Sequence, residues 1–329
     1  MDSCQRILDC LSDGLFHSGE DMAQQLAVSR TTIANHIQKL QQDYALDIHA
    51  VSGRGYRLPG GLERLDRDAI LAQLVEAGIT PGDCQLHQSL ESTNRFLLDK
   101  PLSHADKTDV CLAEMQTAGR GRRGRQWLSP YGRNIYLSLA QNLNMSMQQV
   151  AGLSLAIGTA VAQCLTQLGT RELALKWPND IHWRNRKLAG LLIELKGEAE
   201  GPLKIVVGVG VNHAIGERHR EKIDQPVTDL LTVMGTAAPS RNQLAASLVQ
   251  HMVAAINEFE QQGLQPFVER WNRFDLYLGQ QVTLTGPSWS VGGIYQGIDS
   301  SGAIRLLVDG EARQFSAGEV SLRAAEVVS

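Results

Sequence analysis

The chain has 329 residues, 43% hydrophobic and 20% charged, with a formal net charge of −4. That length exceeds one ordinary domain, so two or three are expected, and the acidic balance excludes a chain-wide basic footprint, confining any nucleic-acid contact to a local surface. Five scattered cysteines (Cys4, Cys10, Cys84, Cys111, Cys164) form no C-x-x-C pair. With no apolar run of membrane length and no signal-peptide pattern, they predict free thiols in a cytoplasmic protein without a membrane partner.

In chain order, residues 5–11 read as a short amphipathic helix. Met22, Leu26, Val28, Ile33, Ile37 and Leu40 recur at helical spacing, with a break near Ser29. Ser18 and Ser29 can cap the two resulting helices, since a serine hydroxyl accepts an orphan backbone N–H. Two extended runs around Ser-Gly-Arg-Gly then predict a hairpin, completing a winged helix-turn-helix over residues 1–61. Ser29, Arg30, Thr31, Thr32, Asn35, His36 and Lys39, with Arg54 and Tyr56 at the wing, are suited to base edges and phosphates. Only four Lys or Arg fall between residues 30 and 58, so one copy should bind DNA weakly and a dimer better.

Strands and helices mix after Pro59-Gly60-Gly61. Helices are expected at 68–78, 148–168 and 242–262, the last continued by 264–274. Strands are expected at 85–90, 109–115, 134–140, 173–177, 187–194 and 204–211, giving a mixed α/β domain over 62–274. From 275 to 329, short strands separated by Gly-Pro, Gly-Gly and Asp-Gly turns predict a small β-barrel.

Residues 118–127, AGRGRRGRQW, hold four arginines and three glycines. G-x-G-x-x-G is matched literally, but RQWLSPYGRN cannot supply the helix that a dinucleotide fingerprint needs. The glycines allow close backbone approach, and the guanidinium forks suit phosphate or carboxylate. ESTN at 91–94 reads by itself as a helix cap on Ser92, Asp180 of KWPND (176–180) as a turn residue, and Lys187 of RKLAG as the end of a strand. Together they supply cations, a carboxylate and small hydroxyls.

GRGRRGRQW, KWPND, RKLAG, ESTN and GVGVN (208–212), with the winged helix, resemble the biotin–protein ligases, in particular the bifunctional bacterial form. The resemblance runs from HSGE at 17–20 to EVSLR at 319–323 and implies that the last domain is SH3-like. It implies a biotin site of Ser92, Thr93, Asn94, Gln116, Gly119, Arg120, Gly121, Arg122 and Lys187. ATP would be held by Arg120, Arg122, Arg125, Lys176, Asn179, Asp180, Asn212 and Arg323, with Trp127 walling the pocket. Lys187, Arg122 and Asp180 would be catalytic, and Asp180 would help hold Mg²⁺. One departure stands out: Val227 occupies the place where the family often has a tryptophan that closes on adenine.

The implied chemistry has two steps. Biotin's carboxylate attacks the α-phosphorus of MgATP, giving biotinyl-5′-AMP and pyrophosphate. A lysine of the biotin carboxyl carrier protein of acetyl-CoA carboxylase then takes the biotin. The adenylate would also be the corepressor, binding a homodimer to the operator of the biotin operon. A lipoate- or octanoate-transferring enzyme and a sensor that has lost catalysis are the rival readings.

Overall fold

The computed structural model describes residues 3–197, 203–316 and 321–324. Met1 and Asp2, Glu319 and Val320 of EVSLR, and residues 325–329 lie outside the described residues. Helices α1 (Ser3–Leu11), α2 (Gly19–Leu26) and α3 (Arg30–Tyr44) precede the wing hairpin β1 (His49–Val51) and β2 (Gly55–Arg57). Ser18 accepts from the Glu20 and Asp21 amides, and Ser29 from the Thr32 amide. Each cap is worth about 1 kcal/mol. Ile7, Leu8, Leu11, Met22, Ile33, Ile37 and Leu40 close over one core.

The central domain contains α4 (Arg67–Glu76), β3 (Cys84–His87), α5 (Thr93–Asp99), β4 (Asp109–Ala113), β5 (Ile135–Leu143), α6 (Leu153–Gln167), β6 (Leu173–Lys176), β7 (Asp180–Trp183), β8 (Arg186–Lys196) and β9 (Leu203–Val211). Short helices α7 (Glu217–Arg220) and α8 (Leu230–Met234) lead to α9 (Arg241–Gln262) and α10 (Gln265–Asn272). The sheet order is β3-β4-β5-β9-β8-β7-β6, with β3 and β4 parallel and the other pairs antiparallel.

Alternation along the strands assigns the two faces. Leu137, Leu139, Val207, Val209, Ile181 and Leu191 join the large core with α6 and α9. The intervening residues, Ser138, Gly208, Gly210, Gly190, Leu192, Glu194, Asp180 and His182, therefore share the opposite face. A bulge between Ile181–Ala189 and His182–Lys187 breaks strict alternation on β8. It lets Leu188 and Ala189 both be buried in the core while Lys187 pairs with His182.

The structure corrects several sequence expectations. The helix expected from 148 starts at Leu153, because Gly152 takes a φ of 92° at its cap. Asp180 opens a strand rather than ending in a turn, and the KWPND–RKLAG segment is a β-hairpin. Gly263, with a φ of 66°, separates α9 from α10. The C-terminal domain is SH3-like, built from β10 (Gln281–Thr285), β11 (Ser290–Ile298), β12 (Ile304–Val308), β13 (Glu311–Phe315) and β14 (Ser321–Ala324). Its antiparallel order β13-β12-β11-β10-β14 leaves the sheet open among the described residues, so the expected barrel does not close.

Both flanking domains are anchored to the centre. Tyr131, just past the basic loop, packs into the winged-helix core and stacks on Tyr44 at 4.2 Å. Within the central domain, buried Arg241 pairs with Glu114 at 2.7 Å and donates to the Asn134 carbonyl and to that of Glu63, just after the winged helix. On the other side, Trp177 donates its indole N–H to the Gly302 carbonyl at 3.1 Å.

Candidate active site

A cavity of about 910 Å³ opens on the polar face of the sheet. It is lined by ESTN residues, the basic loop, KWPND, Lys187, the glycines of β8 and β9, the 222–227 segment, and Tyr277 and Arg323 of the last domain.

One end is a closed hydrogen-bond relay. Ser92 occupies the N-cap position of α5 but makes no side-chain capping bond, contrary to the simple cap reading of ESTN. The Thr93 amide and hydroxyl both donate to Gln116 Oε1, at 2.9 and 3.2 Å. Gln116 Nε2 donates to Ser129 Oγ, which donates to the Trp127 carbonyl. Ser138 lies 2.7 Å from Thr93 Oγ1 and 2.6 Å from Asn94 Oδ1. Asn94 Nδ2 donates to the Leu192 carbonyl and to Glu194 Oε2, and Glu194 in turn faces Arg120 at 3.5 Å.

Close approach dictates the glycines here. A Cβ on Gly208 would stand 2.1 Å from Asn94 Oδ1, and one on Gly210 would stand 2.4 Å from the Trp127 indole. A Cβ on Gly119 would stand 2.4 Å from the Trp127 carbonyl. The loop folds back on itself through Gly121 N–H to Arg125 O and Trp127 N–H to Gly119 O, with a short 3₁₀ turn at Arg122–Gly124.

The other end is crowded with charge. Lys187 Nζ sits 2.9 Å from Asp180 Oδ1 and 5.3 Å from the Trp127 ring centre. The two form an ion pair largely shielded from solvent on the cavity wall. Asn179 accepts from Arg122 Nη1 at 3.4 Å and donates to the Leu191 carbonyl at 2.8 Å. Burial, with Arg123 adding, pulls the Arg122 pKa below the ordinary arginine range, while Asp180 opposes. Burial likewise lowers Lys176, aided by Arg323, Lys187 and Arg125 and opposed by Asp180. Arg125 and Arg323 are exposed at the rim. Asn212 is buried and donates to the Thr228 carbonyl at 3.1 Å. Val227 is buried and forms a bridge with Lys187, so the segment after β9 closes against the β8 strand.

Residues 86–212 match the Biotin/lipoate A/B protein ligase family, residues 5–57 an HTH domain, and residues 277–323 the Biotin protein ligase C terminal domain. The chain is 40% identical to the Bifunctional ligase/repressor BirA of Salmonella typhimurium, over 97% of each chain. The corresponding Escherichia coli protein is 39% identical over 98% of this chain and 97% of its own.

This chain belongs to the biotin protein ligases.

Among solved structures, the biotin protein ligase from Aquifex aeolicus in complex with biotin and ATP superposes with a TM-score of 0.62 at 26% identity. That match covers 74% of this chain and 99% of the other.

Every ligase residue singled out from the sequence lines this cavity except Gly119, which backs the loop against Trp127. Ser129, Ser138, Glu194 and His182 were missed. Each is an ordinary strand or loop residue whose partners become visible only once the sheet order is known. In this ligase the winged-helix set is more varied. Arg30, Thr31, Asn35, Lys39 and Arg54 are exposed. Ser29 and Thr32 engage each other at 2.8 Å, the His36 ring lies 3.1 Å from Cys4 Sγ, and Arg54 stacks on Phe16 at 4.1 Å. Half-buried Tyr56 exchanges backbone hydrogen bonds with His17.

Proposed function

We propose that the relay end of the cavity binds biotin, that the cation-rich end binds ATP, and that Lys187, Arg122 and Asp180 bring the two to reaction. The protein is an ATP-dependent biotin–protein ligase with a DNA-binding repressor domain. We assign it biotinyl-5′-AMP as intermediate and corepressor, and the biotin carboxyl carrier protein of acetyl-CoA carboxylase as acceptor. Operator DNA would be bound by the adenylate-loaded homodimer through the winged-helix residues named above. We keep 1–61, 62–274 and 275–329 as the working domain division, and the cytoplasm, where five free cysteines stay reduced, as the compartment.

The observation that carries this reading is the meeting of the two ends at Lys187. A carboxylate must approach a triphosphate, and their repulsion must be offset by preplaced cations. Arg120, Arg122 and Lys187 supply charge at the junction, and Lys176, Arg125 and Arg323 supply it along the phosphate chain. Biotin's ureido group needs neutral donors and acceptors, which Ser92, Thr93, Asn94 and Gln116 provide. Loop backbone at Gly121 can pass close to the ligand and exclude water from a hydrolysable anhydride, while Gly119 lets the loop pack against the Trp127 carbonyl.

Mg²⁺ fits this site as a companion of the nucleotide. Asp180 presents a half-buried carboxylate on the cavity wall at the cation-rich end, and Mg²⁺ commonly takes one or two carboxylates plus substrate phosphates. Among the described residues no group of three or more His, Cys, Asp or Glu converges, which disfavours a resident metal cage. When bound, Mg²⁺ would neutralise phosphate charge, and Asp180 would hold it beside Lys187.

A biotin-dependent ATP–pyrophosphate exchange assay tests the first step. Label exchange that requires biotin is expected, and its absence would overturn the assignment of the cavity. Sedimentation with and without biotin plus ATP tests the dimer. An unchanged monomer–dimer balance would defeat the corepressor proposal, because a ligand shifts assembly only by differential binding.

A further inference from the structure

Between β9 and α8 the chain leaves the sheet and returns. The Leu230 and Leu231 amides donate to the Asn212 and His213 carbonyls at 3.1 and 3.0 Å, which closes the neck of this excursion. Residues 216–228 therefore take the form of an Ω-loop, a compact surface loop of about 6–16 residues whose ends lie close together. Its tip, from Lys222 to Val227, lines the cavity. The returning limb is held by backbone: the Lys187 amide donates to the Pro226 carbonyl at 2.9 Å, and the Thr228 amide to the Lys187 carbonyl at 3.0 Å. The outgoing limb, through α7, is fastened by charge. Arg220 donates from Nη2 to Asp229 Oδ2 at 2.6 Å and to Thr232 Oγ1 at 3.1 Å. Asp229 is only 2% exposed. Its carboxylate also accepts from the Ile215 amide at 3.1 Å and caps α8 through the Thr232 amide at 2.8 Å. One buried anion thus ties residues 215, 220 and 232 together. The cap alone would need no charge, since Ser, Thr or Asn serves as well. A carboxylate buried there is costly without a cation, and Arg220 supplies it. A second ion pair on this limb, Arg218 with Asp47 at 3.8 Å, joins exposed side chains and contributes little.

We propose that Arg220 and Asp229 are positioning residues, whose ion pair holds the 216–228 loop against the cavity in advance, so that ATP meets a cover already in place. This rests on assigning the cation-rich end to ATP. Neither side chain is among those lining the cavity, so the pair acts through the tip that it carries. The biotin end is already walled by its relay and Trp127, so the ligand that the tip covers is the nucleotide. With the pair broken, the cost of ordering the freed backbone falls on ATP binding, which weakens accordingly.

The test uses the full-length protein with Arg220→Gln and Asp229→Asn. Each removes the charge and keeps a polar side chain, and asparagine can still cap α8. Without ligands, trypsin should cut after Arg218 or Lys222 about tenfold faster than in wild type, because cleavage follows the open population. The KM for ATP should rise about tenfold, while that for biotin stays within about twofold. Arg220→Lys, which restores the cation, should recover part of both losses. Unchanged cutting and an ATP KM within about twofold of wild type would overturn the proposal. Either change without the other would overturn it too, since the loop and the nucleotide would then be uncoupled. So would a biotin KM raised as much as that of ATP together with a lowered Tm, which would make the pair a support of the whole domain. Should Asp229→Asn not fold, Arg220→Gln decides alone, because Arg220 is half-buried. Failure of the wild-type protein to exchange pyrophosphate would instead remove the ATP assignment, while the trypsin comparison still reads the ion pair, so the two failures are distinguishable.

Discussion

At one end of the cavity Thr93, Asn94, Gln116, Ser129 and Ser138 are hydrogen-bonded to one another. At the other, Asp180 faces the Lys187 ammonium at 2.9 Å, and Arg122 and Lys176 are held below their ordinary pKa range chiefly by burial. The difference follows the ligands each end is proposed to take. A neutral ureido group is best met by dipoles already oriented, because reorganisation is then small. A triphosphate brings enough charge to compensate groups that are costly to bury alone. The first end is thus organised in advance, and the second is completed by its ligand.

The sharpest way to break this contrast is at the junction. Lys187→Ala removes the cation between the ends and leaves Asp180 without its partner 2.9 Å away. Pyrophosphate exchange should fall roughly 10²–10³-fold, the usual effect of losing one preorganised donor. A rate close to that of wild type would show that Lys187 is structural. Next in size are the glycines under the organised end. Gly208→Ala would place a methyl 2.1 Å from Asn94 Oδ1, and Gly210→Ala would place one 2.4 Å from the Trp127 indole. Overpacking of this kind costs about 1–3 kcal/mol. Biotin KM should therefore rise about tenfold or more while ATP KM moves less, as steady-state kinetics would read. Equal damage to both substrates would mean that the ends are one rigid unit.

Sequence and structure agree where local chemistry dictates form. Ser18 and Ser29 cap the helices they were expected to cap, and the apolar stripe from Met22 to Leu40 is the winged-helix core. The Gly-Arg loop, KWPND and RKLAG meet in one cavity. What escaped depends on distant pairing. Asp180 follows a Pro-Asn pair that looks like a turn, yet it pairs with Gly190 across a hairpin. Ser138 sits in an apolar strand, and only the β5–β9 pairing and the position of α5 bring it to Thr93 and Asn94. Glu194 reads as an exposed strand end, but it joins Asn94 to Arg120. No local pattern encodes such contacts, because each partner lies tens of residues away.

Within the organised end, Ser138→Ala probes how far the relay acts as a unit. It leaves the Asn94 carbonyl and Thr93 hydroxyl without the group now 2.6 and 2.7 Å away. A loss of about 1 kcal/mol in biotin binding is expected, roughly fivefold by titration calorimetry. Combined with Thr93→Val, the losses should add to less than their sum, since both sever the same path. Full additivity would mean that the contacts act independently.

The smallest effect separates the ends by pH. Burial, with Arg323, Lys187 and Arg125 nearby, lowers the Lys176 pKa, while Asp180 resists the shift. A lysine with a depressed pKa is fully charged well below that value and loses its proton as pH rises through it. It does so at lower pH than a solvated lysine, whose ordinary value is about 10.4. ATP phosphates favour the charged form, so ATP binding should weaken a few-fold as alkaline pH is approached, and binding in that range should take up protons. The relay contains no group that titrates there, so biotin KM should stay flat over the same interval. Lys176→Arg should abolish the ATP trend, because a guanidinium holds its charge throughout. If biotin KM rises in step with that of ATP, the alkaline transition belongs to a change of the whole cavity, and the division between an organised end and a ligand-completed end is wrong.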